Sequence, residues 1–184
     1  MNSFDKALKK AIKSRTLVRT FRDNLDPSGT LRDGYPLKME NGFLLTLNIA
    51  EGIWLGGFTV NRVNDITEMD DPVENAAFIE RALKLKGQQF PAIPNINLNS
   101  VRSVLESAAA LFPLITIHRE NVDPGICQIG KLESAGKSSF MMREIDSSAE
   151  WVDEREQYDY DDITGIDFGG AYEHSLALVA GLVN

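Results

Sequence analysis

Apolar side chains recur at helical spacing near the start of the chain and again after its midpoint. Both sets fall three and four residues apart, which predicts amphipathic helices with one apolar face. The hydroxyls of Ser3 and Ser100 precede the two sets and are the predicted N-caps. The first set is Phe4, Ala7, Leu8, Ala11 and Ile12, and the second is Val101, Val104, Leu105, Ala108, Ala109 and Phe112.

Five short segments follow each helix, and their alternation or β-branched composition favours strands. An Asn-x-Asp-Pro turn follows the first strand in both halves, and Phe43, Leu45, Leu47 and Ile49 alternate along one face of the third strand. The fourth strand of each half starts in the region of Trp54 or Trp151 and runs through 58–63 or 157–160. The other predicted strands are 17–22, 31–39, 43–49 and 65–69, then 114–119, 126–133, 140–145 and 162–166, and the closing helices are 73–86 and 170–182.

The two halves carry the same pattern because the sequence repeats. A shift of 97 positions places residues 2–87 on residues 99–184 without a net gap, and it superposes Trp54 on Trp151. We therefore predict two modules, 2–87 and 99–184, joined by a linker at 88–98. A module of this size is marginally stable alone, so we expect the two modules to pack on each other.

The predicted fold class is mainly β with flanking helices, each module running helix, five strands, helix. Five short strands bury one face most economically by curling into a small, partly open barrel. With the turn after the first strand and Gly34 and Gly130 in the second, each module resembles the Sm-like version of the SH3-type barrel. The whole chain also resembles uncharacterised bacterial proteins with two such barrels in tandem.

The Sm-like resemblance implies single-stranded RNA binding by an Asp and an Asn before strand three and an Arg-Gly pair after strand four. The chain instead has Glu40–Phe43 and Lys137–Phe140 at the first place, with Asn41 alone matching in kind. Asn64-Asp65 and Asp161-Asp162 follow strand four. Acid where a phosphate-binding cation should stand disfavours nucleic acid as a partner.

Charge separates the two halves. Residues 1–97 carry 13 basic and 12 acidic side chains, whereas residues 98–184 carry 6 and 15, for a net charge of −8. An acidic face aids solubility. It also suits a basic partner, including the lysine-rich first helix of a neighbouring copy, so a homo-oligomer is one expectation. The lysines of that helix are Lys6, Lys9, Lys10 and Lys13.

The compartment we predict is the cytoplasm. One cysteine, Cys127, excludes an internal disulfide. No apolar run approaches the ~18–20 residues that span a bilayer, so we expect no membrane association. The N-terminal lysines are not followed by the apolar segment of a secretory signal.

Catalytic and metal patterns are weak. His118 and Cys127 flank the second turn, but counting along the hairpin places His118 opposite Ile129 or Gly130, so a nucleophilic pair is disfavoured. Asp159, Asp161 and Asp162 lack calcium-loop spacing. His174 has no Cys or His at zinc-ligand spacing, and no glycine-rich phosphate loop exists. We therefore expect no enzyme activity, metal or cofactor.

Four repeated residues are the candidate ligand contacts: Trp54, Trp151, Arg22 and Arg119. Each also has a structural interpretation, since a tryptophan often packs in a core and an Arg can anchor a turn or pair with Asp65 or Asp162. The sequence favours a non-enzymatic module that binds a protein or peptide. The alternative is an Sm-like RNA-binding protein that uses the basic first helix, and a hydrolase or metal enzyme is the least favoured.

Overall fold

The computed structural model describes residues 4–25 and 32–183. Contacts divide the chain into two compact units, Met1–Ile93 and Pro94–Asn184. The described residues contain four α-helices and ten antiparallel strands, so the mainly β fold with helices is confirmed. Both units run helix, four strands, a 3-10 turn, a short strand and a helix.

The elements of the two units are as follows. Unit 1 contains α1 Asp5–Ser14, β1 Val18–Phe21, β2 Arg32–Glu40, β3 Phe43–Ala50, β4 Trp54–Arg62, β5 Glu68–Asp70 and α2 Ala76–Leu85. Unit 2 contains α3 Val101–Ala109, β6 Ile115–His118, β7 Cys127–Ala135, β8 Ser139–Ile145, β9 Trp151–Asp159, β10 Gly165–Phe168 and α4 Ala171–Val179.

The sheet of unit 1 is open and has the order β5-β1-β2-β3-β4. Its strands pair antiparallel, and bulges interrupt the pairing after Pro36 and after Leu47. Helix α1 covers one side, where Leu8 packs with Leu44, Val63 and Ile66. A helix stripe and apolar strand positions therefore build one core cluster, as their periodicities predict.

The sheet of unit 2 has the equivalent order β10-β6-β7-β8-β9, with antiparallel pairing and bulges after Leu132 and Arg143. One core cluster of this unit joins Leu114, Ile145, Leu176 and Ala177. Strands β6, β9 and β10 begin 97 residues after β1, β4 and β5, but β8 begins only 96 after β3, and Gly130 takes the place of Gly34 in the register. The intervening hairpin is therefore displaced between the units.

Several boundaries differ from the sequence predictions. The closing helices begin at Ala76, after a turn at residues 74 and 75, and at Ala171, after a bend at Gly169 and the extended N-cap Gly170. On β3 the bulge breaks the strict alternation, so Leu45 and Leu47 are buried but Ile49 is only partly buried. The Ser100 cap is confirmed, since its Oγ accepts a hydrogen bond from the Ser103 backbone N–H at 3.1 Å. Ser3 lies outside the described residues.

Candidate ligand-binding surface of the first unit

Trp54 stands at the start of β4, directly after a tight turn. Gly52 and Ile53 both have positive φ angles, 72° and 60°, and the Ile53 N–H donates to the Ala50 carbonyl at 3.1 Å. A β-branched residue rarely occupies this left-handed region, so the turn is held by its surroundings. It presents the Trp54 side chain at the surface with 46% of its area exposed.

Lys86 fixes this tryptophan from the end of α2. Its ammonium nitrogen lies 4.4 Å from the Trp54 ring centroid, within the range of a cation–π contact. The same ammonium donates to the backbone carbonyls of Gly52 and Ile53, the latter at 3.2 Å. One cation therefore contacts both the turn and the ring, and this orients an indole that is half exposed.

A groove of about 440 Å³ adjoins the residues that follow α2. Gln88 connects it to Trp54, because Gln88 Oε1 accepts a hydrogen bond at 3.3 Å from the backbone N–H of Leu55. We call the exposed tryptophan and this groove the Trp54 surface. It consists of Trp54, Lys86 and the groove residues Arg15, Tyr35, Glu80, Leu83, Lys84, Gly87, Gln88, Gln89 and Phe90.

Two aromatic rings form one wall of the groove. Tyr35 and Phe90 meet edge to face with their centroids 4.7 Å apart and their planes at 68°. The Arg15 guanidinium lies 6.0 Å from the Phe90 centroid. Burial, with a smaller contribution from the charge of Glu80, raises the pKa of Tyr35 to about 12, so this phenol is neutral at physiological pH.

Trp151, the counterpart of Trp54, has different surroundings. It packs against the core cluster of Leu114, Ile145, Leu176 and Ala177. The Arg143 guanidinium lies 5.0 Å from its ring centroid. Trp151 is only partly exposed, so its packing fits a structural role.

The two predicted arginines lie at the ends of β1 and β6. Arg22 is 6% exposed, and its carbonyl accepts from the Leu25 N–H at 2.8 Å within the turn. Arg119 lies 4.8 Å from the Tyr158 ring centroid, and its Nε donates to Gln128 Oε1 at 3.4 Å. Burial and contacts within the sheet give both arginines a structural setting.

The register corrects the predicted position of His118. His118 pairs directly with Cys127, not with Ile129 or Gly130, because residues 119–126 are all consumed by the loop and its tight turns. Opposed residues share a face of the sheet. His118 Nε2 lies 2.8 Å from Asp167 Oδ2, so this imidazole is paired with a carboxylate on β10.

Sequence reasoning missed most of the Trp54 surface. Phe90 and Gln88 lie in the segment interpreted as a linker, and Tyr35 and Arg15 belong to a strand and a helix end far away in sequence. One signal was present: Phe90 is a large apolar residue in a proline-containing stretch that also carries Ile93, Ile96 and Leu98. Such a residue favours a segment that folds back onto the domain.

Over residues 4–25 and 32–183, no three His, Cys, Asp or Glu side chains are grouped so that they could hold a metal. Within the same residues, no helix combines the length and apolarity needed to cross a bilayer. Comparison with protein-family models, curated proteins and solved structures found no match to the chain.

Proposed function

We propose that this chain is a non-enzymatic cytoplasmic protein that binds a peptide or protein partner through the Trp54 surface. The observation that carries the proposal is a half-exposed tryptophan, held by Lys86, beside a groove of about 440 Å³. Tryptophan dominates the energetics of many interfaces, and a fixed ring loses little entropy on binding. The groove volume lies in the range usual for ligand sites.

We propose further that each unit is a small SH3-type barrel of the Sm-like kind. The order of elements and the strongly bulged, five-stranded sheet in each unit support this assignment. A barrel of this kind provides a rigid support for loops at its ends. The turn before Trp54 is such a loop.

A selection followed by a titration tests the binding proposal. Peptides are selected from a displayed random library on the immobilised chain and then titrated as fluorescent conjugates. We expect Trp54→Ala to weaken binding at least tenfold, which corresponds to ~1.4 kcal/mol. Leu111→Ala is the matched control, since Leu111 is 53% exposed in unit 2. Equal binding by Trp54→Ala and wild type would overturn the proposal, as would a selection that yields no binder.

RNA binding is the second candidate. Lys6, Lys9, Lys10 and Lys13 are all exposed on α1, and Lys9 lines a 350 Å³ cavity together with Asn41 and Asn64. The test is fluorescence anisotropy with oligo-U and oligo-A at ~50 mM salt, where phosphate contacts are strong. Binding that falls steeply with salt and with Lys9→Glu would support this candidate, and no binding at that salt concentration would exclude it.

A further inference from the structure

The Trp54 surface contains three cationic side chains. Arg15 and Lys84 line the groove, and Lys86, which precedes the lining residue Gly87, contacts the Trp54 ring. Among the described lining residues, Glu80 is the one carboxylate. The surface therefore carries three positive charges against one negative charge, in a chain whose net charge is −8.

The positions of these cations are set by two helix ends. Arg15 caps α1 in a left-handed conformation with φ 52°, and its N–H donates to the Ile12 carbonyl at 3.4 Å. Lys84 lies in the last turn of α2, and Lys86 is the residue that caps it. Because the backbone at both ends is fixed, the cations border the groove at defined places.

The floor and one wall between these cations are apolar. Leu83 is 5% exposed, Tyr35 is 3% exposed, and Phe90 retains 42% exposure at the rim. An apolar side chain of a ligand gains from contact with these rings, whereas carboxylates on either side of it reach Arg15, Lys84 or Lys86. The two kinds of contact together define the chemistry of the ligand.

We propose, resting on the function proposed above, that the partner of the Trp54 surface is an acidic peptide segment that inserts an aromatic or aliphatic side chain into the groove. The excess of acidic side chains in residues 98–184 repels such a segment from unit 2. The apolar groove inside the cationic border distinguishes this surface from the lysine-rich face of α1, which also attracts negative charge. Charge then provides specificity and orientation, while the apolar side chain provides affinity.

Three synthetic nonapeptides with a central Phe test the inference. Asp, Asn or Lys alternates with Leu around that Phe in the acidic, neutral and basic peptides respectively. The host protein carries Trp151→Phe, so that Trp54 is the sole tryptophan and reports binding through its emission. We expect the acidic peptide to bind at least tenfold more tightly than the neutral one at ~50 mM salt and to lose that advantage at ~500 mM.

Charge reversal tests whether the cations of the Trp54 surface cause the preference for the acidic peptide. Lys84→Glu is expected to weaken the acidic peptide about tenfold, whereas Lys131→Glu in unit 2 changes the net charge equally and is expected to have little effect. Circular dichroism verifies that both variants are folded. Equal effects of the two reversals, or equal affinity for the acidic and neutral peptides, would overturn the inference.

Failure of this inference is distinguishable from failure of the proposed function. If library-selected neutral peptides bind and Trp54→Ala abolishes their binding, the surface is a peptide site and the acidic preference alone is wrong. If neither the selected peptides nor the three nonapeptides bind, the proposed function itself is wrong and this inference falls with it.

Discussion

Trp54 and Trp151 occupy equivalent places in the two units, yet one is half exposed under a lysine and the other packs, partly buried, against a core cluster. Both begin the fourth strand of a unit, 97 residues apart. Trp54 is 46% exposed beneath Lys86, whereas Trp151 packs with a cluster that includes Leu176 and Ala177. Equivalent backbone positions therefore do not imply equivalent roles.

One sequence difference explains much of this divergence. The residue 97 positions after Lys86 is Val183, which packs against the same cluster as Trp151. In unit 1 the cation at this place cannot be buried cheaply, so its ammonium stays with the ring face and the turn carbonyls. In unit 2 the valine and the tryptophan both pack, partly buried, against the apolar cluster.

The largest effect expected from this comparison is on stability. Trp151→Ala should lower the free energy of unfolding by about 2–3 kcal/mol, somewhat less than a fully buried tryptophan, because it leaves a void beside the cluster. Trp54→Ala should cost less than about 1 kcal/mol, because water already reaches that ring. Urea unfolding followed by circular dichroism measures both, and similar losses for the two variants would contradict the comparison.

The fold was largely predictable because its signals are local. The apolar stripes of α1 and α3 and the Ser100 cap depend on spacing over a few residues, so the sequence exposes them directly. The bulge after Leu47 depends on an extra residue in the pairing of β3 with β4. The position of His118 opposite Cys127 depends on the number of residues in the loop that joins β6 to β7. Periodicity carries no information about either number of residues, so the strict alternation predicted for β3 and the predicted position of His118 were both wrong.

The candidate site was predictable only at Trp54. Its other members lie on α1, β2 and the segment after α2, and the tertiary fold alone brings them together. Repetition placed Trp151, Arg22 and Arg119 beside Trp54 as equal candidates, and it gives no means of ranking the four. Their neighbours differ, and a repeat in sequence does not specify whether a side chain meets Lys86 or a hydrophobic cluster.

Exchanging the residue types at the equivalent positions 86 and 183 should give the next largest effect. Val183→Lys is expected to destabilise the chain by roughly 1 kcal/mol, since it places a charge beside an apolar cluster at a partly exposed position. Lys86→Val should shift the Trp54 emission, measured with Trp151→Phe in the background, because the ring loses its cation. If Val183→Lys leaves the unfolding midpoint unchanged, another residue determines the difference between the units.

Alkaline pH should weaken the groove wall of unit 1. The pKa of Tyr35 is about 12, above its ordinary value of 10.0, so the folded state holds this proton more tightly than the unfolded state. The resulting stabilisation is fully present below pH 10 and is lost as pH rises toward 12. Between pH 9 and 11 the wild type should lose roughly 1 kcal/mol more than Tyr35→Phe.

The control for this pH profile is Tyr172→Phe, which removes a phenol that is 55% exposed on α4. The urea midpoint of each protein is measured at four pH values and converted with a common m-value into a free energy of unfolding. This gives one pH profile each for wild type, Tyr35→Phe and Tyr172→Phe. Parallel profiles for wild type and Tyr35→Phe would contradict the predicted role of Tyr35 burial. If Tyr172→Phe reduces the loss of stability with rising pH as much as Tyr35→Phe does, the predicted role of Tyr35 burial is contradicted as well.

The smallest expected effect concerns the charge difference between the units and the predicted homo-oligomer. Lys9 and Lys10 are exposed on α1, and Glu154 and Glu156 are exposed on β9, the last strand of the unit 2 sheet. Ion pairs between two copies would each contribute less than about 1 kcal/mol and would be screened by salt. Sedimentation velocity should therefore detect only weak self-association, lost at ~300 mM salt. The double variant Lys9→Glu with Lys10→Glu should abolish this self-association. The control double variant Lys131→Glu with Lys137→Glu should leave it unchanged. Self-association that does not depend on salt would contradict the prediction and would require an apolar interface.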